Sequence, residues 1–422
     1  MRLPLTSFGT FNAVPLQFLH SAVSTSGESV DVLIDADGLI AAVGTGLGPT
    51  AGDAEHVDLS GRVLLPAATE PHAHLDKAFL AEVIRNPTGD LIGAVEAMRA
   101  NRHLLTVGDT AARAERAARR MAANGFTAVR THADLTLEHG LTSMEALLDV
   151  RERVADVIDI EIVALCGWPV AGTVGTEQRA LLRTAMEMGA DVVGGVPHLE
   201  TVTGGTIADA TGVLLEIADD YRRPVDLHTD ETLDPTADGL ERLAAHVLEG
   251  FDLPVTASHC VSLGQKPTAQ QTAIAERVAE AKINVVVLPH TNLFLQGRGQ
   301  TPMPRALTAV DALRTAGVNV SAGADNLQDP FNPLGRACPF ETAGLMILAS
   351  HLLPADAWSM VSTNAARTLG GDDTAHGLTV GARADLLSVR AETVREAIAD
   401  APSDRWVWRG GHRSTTSAAP ET

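Results

Sequence analysis

Seven apolar runs between residues 126 and 325 each end in polar or ionisable residues, and helix-length segments separate them. They lie at 126–132, 160–166, 191–198, 224–228, 254–259, 283–290 and 318–325. Short apolar blocks alternating with helical stretches are the pattern of parallel strands joined by crossovers. An eighth run begins at Arg62-Val63-Leu64-Leu65-Pro66 and leads into Pro71-His72-Ala73-His74-Leu75-Asp76-Lys77. Eight such units close a barrel, and a barrel collects its chemistry at the carboxyl ends of its strands. An open doubly wound sheet is the alternative, but no glycine-rich fingerprint follows the first strand.

The expected fold class is therefore α/β, a (β/α)8 TIM-type barrel over residues 65–370. Helices are predicted at 90–105 and 110–124, the second stopped by Gly125. Residues 30–34 and 38–43 flank Asp35-Ala36-Asp37 like a hairpin, and strand-like runs return at 386–389 and 406–411. Residues 1–64 and 371–422 are thus expected to form a small β-sandwich domain built from both chain ends. Gly44-Thr45-Gly46-Leu47-Gly48-Pro49 is read as a plain loop, since no helical pattern follows it. Residues 414–422 are expected to be disordered.

A formal charge of -21 with no basic patch excludes a nucleic-acid partner. No apolar run reaches the length of a membrane span, and the start Met1-Arg2-Leu3-Pro4-Leu5 has no signal-peptide pattern, so a cytoplasmic protein with no membrane partner is expected. Cys166, Cys260 and Cys338 form no C-x-x-C pair and are read as buried hydrophobes. A homo-oligomer is allowed by the sequence and not read from it.

In an extended chain residues two apart share a side, so His72 and His74 can face one ion. His228 ends the fifth strand, and Asp325 ends the eighth, which lies beside the first in a closed barrel. Three neutral imidazoles and one carboxylate suit one divalent metal, Zn(II) or Fe(II), with a position left for water. Glu231, three residues after His228, is the candidate proton shuttle, and His259 at the end of the sixth strand is placed to orient the water and help take its proton. The only lysines are Lys77, Lys266 and Lys282, none at the end of the fourth strand, which favours one metal over a lysine-bridged pair. Lys77 is close enough to the H-x-H strand to reach a substrate or to form a surface salt bridge. His132, His198 and His290 are read as satisfied polar core, and Asp76, Asp134 and Asp230 as solvated or hydrogen-bonded. The segment Asp329-Pro330-Phe331-Asn332-Pro333-Leu334-Gly335 reads as a rigid turn.

Taken together, Glu70-Pro71-His72-Ala73-His74, Arg130-Thr131-His132-Ala133-Asp134, His228-Thr229-Asp230-Glu231, Val255-Thr256-Ala257-Ser258-His259 and Asp329 to Gly335 resemble the amidohydrolase superfamily, in its cytosine deaminase-like branch. The resemblance spans nearly the whole chain. It implies a metal on His72, His74, His228 and Asp325, with Glu231, His259 and Asp325 catalytic. Hydroxide would attack a ring carbon bearing an amino group, the glutamate would protonate the adjacent ring nitrogen, and ammonia or an amine would leave. That role predicts a raised pKa for Glu231. The substrate contacts it implies are Lys77, Trp168, Val170, Asn326 and Phe331.

The chain departs from cytosine deaminase at two of these. Val170, after Trp168-Pro169, replaces a glutamine that reads the pyrimidine edge, and Asn326 replaces a second aspartate. An unmatched polar edge is costly to bury, which argues against cytosine as substrate. The run His74-Leu75-Asp76-Lys77 is closer to the branch that removes alkylamines from triazines. The expected partner is thus a small amino-substituted N-heterocycle (pyrimidine, purine, pterin or triazine) that is deaminated. Hydrolysis of a cyclic amide or removal of an N-alkylamino group is the alternative, and a barrel that binds without turnover is a third reading that Glu231 opposes.

Overall fold

The computed structural model describes residues 14–371 and 376–414. The first five strands are β1 (Gln17–Val23), β2 (Ser29–Ile34), β3 (Ile40–Gly44), β4 (Glu55–Asp58) and β5 (Arg62–Pro66). Barrel strands follow: β6 (Ala68–Ala73), β7 (Phe126–Leu135), β8 (Asp159–Cys166), β9 (Val192–Gly195), β10 (Val225–Thr229), β11 (Val255–His259), β12 (Asn284–Val287) and β13 (Val320–Ala322). The chain ends on β14 (Leu386–Arg390), β15 (Arg405–Arg409) and β16 (His412–Arg413).

Strands β6 to β13 pair in chain order, and every pair is parallel. A bridge between Ala73 and Asp325 joins the last strand to the first. Asp325 N–H donates to His72 O and His74 N–H donates to Asp325 O, both at 3.0 Å. The closing seam is therefore made by the backbone of three of the predicted site residues. Buried strand residues such as Val129, Ile162, Val193 and Val285 pack against helices on the outside, as both-faced burial of a parallel sheet requires.

The helix predicted at 110–124 runs from Val107 to Ala123, with the Thr106 hydroxyl accepting from Asp109 N–H at its start. Gly125 follows at φ +102, and a Cβ there would lie 2.8 Å from Leu387 of β14. Only glycine satisfies both the backbone turn and the close approach of the two sheets.

The terminal strands form a separate mixed sheet in the order β16-β15-β14-β5-β1-β2-β3, with β4 also beside β1. The hairpin expected around Asp35 is the antiparallel β2–β3 pair. The expected division between residues 64 and 65 falls inside β5, which pairs with β14 from Arg62 to Pro66. The chain changes sheets one residue later, where Ala67 N–H still donates to Asp385 O and Ala68 N–H donates to Gly125 O. Apolar side chains on both sides of this switch hide it from a hydrophobicity pattern. The loop read at 44–49 contains the start of a single helical turn, Gly48–Ala51. Apart from Ser414, the tail expected to be disordered lies outside the described residues. Among the described residues no helix is long and apolar enough to cross a membrane.

Candidate active site

His72 lies on β6 and His74 just beyond it, with ring centroids 5.3 Å apart. His228, on β10, lies 4.6 Å from the His72 ring and places its Nε2 3.3 Å from His74 Nε2. Asp325 Oδ1 is 3.3 Å from His74 Nε2 and 3.6 Å from His72 Nε2. The four predicted ligands therefore meet at the carboxyl ends of the strands. Asp325 and His259 sit at φ +63 and +70, conformations that β-extended residues avoid. Such strain persists only where the surrounding structure fixes it, here the barrel seam and the end of β11.

The structure adds His132, whose ring lies 3.9 Å from that of His72. In the sequence it reads as satisfied core, yet neither of its ring nitrogens has a hydrogen-bond partner. His72 Nε2, His228 Nδ1, His259 Nε2 and both Asp325 carboxylate oxygens are likewise buried without partners. So many orphaned polar atoms in one place are not tolerated in a dry core. Two triads, His72, His132, His228 and His72, His74, Asp325, bring ligand atoms within 4.8 Å of one another. Burial and then the neighbouring imidazoles push His72, His132 and His228 well below the usual histidine range, so they are neutral and offer lone pairs. Burial pushes Asp325 up, but His74 and His259 outweigh it and hold the carboxylate ionised. A donor set of neutral imidazoles and a carboxylate fits a divalent cation.

Glu231 and His259 stand beside this cluster, Oε1 to Nδ1 3.6 Å apart. Burial, then the charge of Asp325, raises Glu231 well above the carboxylate range, in the direction the sequence predicted. Asn292 was not foreseen. Its Nδ2 lies 3.1 Å from His259 Nδ1 and donates to Glu231 Oε1 at 3.4 Å. It is carried on the helix Pro289–Leu295 after β12, one helical turn away from the strand end that the sequence pattern marks. With Nδ1 accepting from the amide, the His259 hydrogen resides on Nε2. His259 Nε2, buried without a partner, is then the donor nitrogen of the ring.

A cleft opens above these groups. Lys77, Trp168, Asn326 and Phe331 line it, as do Leu91, Val95 and Met98 from one face of the helix Leu91–Ala100. Val170 does not. It is buried, and its N–H donates to Glu200 Oε2 at 2.9 Å. Lys77 is buried rather than on the surface, with Nζ 2.7 Å from Asp134 Oδ1 and 2.8 Å from His74 Nδ1. Asn326 is fixed by Thr291, whose hydroxyl donates to Oδ1, and by Asp329, which accepts from Nδ2 at 2.7 Å. The same Asp329 accepts from the N–H groups of Phe331 and Asn332, forming the rigid turn expected there. Asp230 accepts from the N–H groups of Gly239 and Leu240, and His290 meets Thr342, in keeping with their structural reading. His198 points Nδ1 at the carbonyl of His228, while its Nε2 is buried without a partner.

A closed parallel barrel with a histidine–aspartate cluster at its carboxyl mouth defines a metal-dependent hydrolase. The chain belongs to the amidohydrolase family, whose pattern its residues 80–413 match. It is 33% identical over 385 residues to a pterin deaminase of Rhizobium rhizogenes, covering 90% of this chain and 86% of that protein. The crystal structure of 5-methylcytosine deaminase from Klebsiella pneumoniae, liganded with 5-fluorocytosine, superposes with a TM-score of 0.85 at 31% identity, covering 96% of this chain and 98% of that one. N-isopropylammelide isopropylaminohydrolase from Burkholderia multivorans gives a TM-score of 0.80 at 30% identity, covering 94% and 98%.

Proposed function

We propose that this protein is a metal-dependent deaminase of a small amino-substituted N-heterocycle, with one divalent ion, zinc or iron, held by His72, His74, His228 and Asp325. The observation that carries the reading is the buried Glu231–His259 pair beside a cluster of unpartnered imidazoles and a carboxylate, at the floor of a cleft. A bound divalent cation supplies Lewis acidity that lets water act as a nucleophile near neutral pH.

The chain's own residues supply the rest. Glu231, with its raised pKa, takes the proton released by water and returns it to the ring nitrogen beside the reacting carbon. His259 presents its Nε2–H to the oxygen nucleophile and fixes its approach. As the new hydroxyl on the ring carbon becomes an oxo group, its proton passes to the exocyclic nitrogen, the C–N bond breaks, and ammonia leaves. Trp168 and Phe331 provide flat walls for the ring, and Asn326 and Lys77 provide donors at its edge. The similarity to proteins named for pterins, methylcytosine and N-isopropylammelide supports the same substrate class here. Removal of an alkylamine rather than ammonia is the second reading, favoured by the relative named for isopropylammelide.

The test is a panel of pterins, aminopyrimidines, aminopurines and aminotriazines, with and without N-alkyl groups, incubated with zinc- or iron-loaded protein. Release of ammonia from at least one member, lowered about 10²–10⁴-fold in Glu231→Gln at unchanged metal content, is the expected result. Alkylamine without ammonia selects the second reading, and no release of either contradicts both.

A further inference from the structure

The interior of the barrel holds charges where branched aliphatic side chains usually fill the layers. Arg130 of β7 is buried, with Nε donating to Glu161 Oε2 at 2.6 Å and Nη1 to Asp226 Oδ2 at 3.0 Å. Its Nη1 also reaches Thr256 Oγ1 at 3.2 Å, and its Nη2 donates to the carbonyl of Thr368 at 3.1 Å. Burying such a set gains little stability, because desolvation offsets the attraction and a well-packed apolar substitute is often as good or better. Some other advantage must hold these charges in place.

The line of bonds continues upward to the site. The Ser258 hydroxyl donates to Asp226 Oδ1 at 2.8 Å, and His72 Nδ1 lies 2.9 Å from the same Ser258 oxygen. Since the hydroxyl hydrogen is committed to Asp226, its oxygen can only accept from His72. The imidazole hydrogen is thereby fixed on Nδ1, and Nε2, which has no partner, is left with its lone pair. Ser258, Asp226 and His72 are all fully buried, so no water competes for these bonds.

We propose that Ser258 and Asp226, anchored by Arg130 and Glu161, are positioning residues that hold His72 in the one tautomer and orientation that can ligate a cation. This rests on the reading of His72 as a metal ligand. Outer partners of this kind typically change metal affinity by about 10–100-fold when removed.

The test is the zinc dissociation constant, measured by chelator competition on metal-stripped protein. Ser258→Ala is expected to bind zinc about 10–100-fold more weakly while the metal-free protein melts within a few degrees of wild type. Ser258→Thr, which restores the hydroxyl, is expected to recover most of the affinity. Wild-type affinity in Ser258→Ala, or no recovery in Ser258→Thr, overturns the proposal. Should Ser258→Ala fail to fold, Asp226→Asn keeps the hydroxyl and the shape of the site, and the same loss is expected there; wild-type affinity in that variant overturns the proposal equally. Zinc affinity does not depend on which heterocycle is turned over, so failure of the deaminase reading would leave this comparison intact.

Discussion

Lys77 Nζ stands 2.8 Å from His74 Nδ1, while Nε2 of the same ring faces Asp325 at 3.3 Å. An ammonium can only donate, so this contact and a cation on Nε2 require different tautomers of one imidazole. A cation on Nε2 would require the ring hydrogen on Nδ1, with Lys77 keeping its bond to Asp134. Lys77→Gln, whose carbonyl can accept from Nδ1–H, is therefore expected to retain zinc as tightly as wild type or more so, by chelator competition. Loss of zinc from the folded variant would show that the ammonium supports the ligand.

Glu231→Gln keeps the shape of the side chain but cannot carry a proton. Turnover should fall by about 10²–10⁴-fold, the usual contribution of a positioned acid or base. Metal content by elemental analysis should not change, since Glu231 is outside the predicted ligand set. Equal loss of metal and activity would make it a ligand instead.

Arg130 neutralises two carboxylates, the buried Asp226 and the partly buried Glu161. Arg130→Met leaves both without their cation, and a stability loss of about 3–5 kcal/mol is expected in denaturant titration. A loss below 1 kcal/mol would mean that water or a rearrangement takes its place.

Asp329 is pushed up to about 6 by burial, against an ordinary value of 3.8, despite its three hydrogen bonds. The folded state thus holds a proton that the unfolded chain releases between those values. The sign follows from linkage: this contribution is fully present below 3.8 and is lost as pH rises to about 6. The stability of wild type relative to Asp329→Asn should fall across that window and level off above it. A flat difference would show that Asp329 is ionised throughout.

Gly125 turns the chain at φ +102 directly under Leu387. Gly125→Ala should cost about 1–3 kcal/mol through backbone strain and contact, read as a lowered melting temperature. An unchanged melting temperature would show that the two sheets separate easily at this point.

What the sequence made legible was whatever depends on strand period and strand ends. The two-residue spacing found His72 and His74, and the ends of β10 and β13 found His228 and Asp325, because a parallel barrel forces such residues to converge. His132 ends a run of the same kind, but a lone histidine carries no spacing signal. Asn292 and Ser258 were invisible for different reasons. Asn292 reaches the site from a helical turn, and Ser258 looks like any small strand residue until its neighbours are known. Val170 is expected at the substrate from its place after Trp168-Pro169, but Trp168 lines the cleft and Val170 does not, its N–H being bound to Glu200. The shift between sheets at Ala67 leaves no trace in hydrophobicity, since both sheets bury their strands.

Anomalous X-ray scattering at the zinc edge, from crystals of the zinc-loaded protein, tests the central claim most directly. A single strong peak about 2.0–2.2 Å from nitrogens of His72, His74 and His228 and an oxygen of Asp325 is the predicted result. A peak elsewhere, or none at these residues in protein that still turns over substrate, would contradict it.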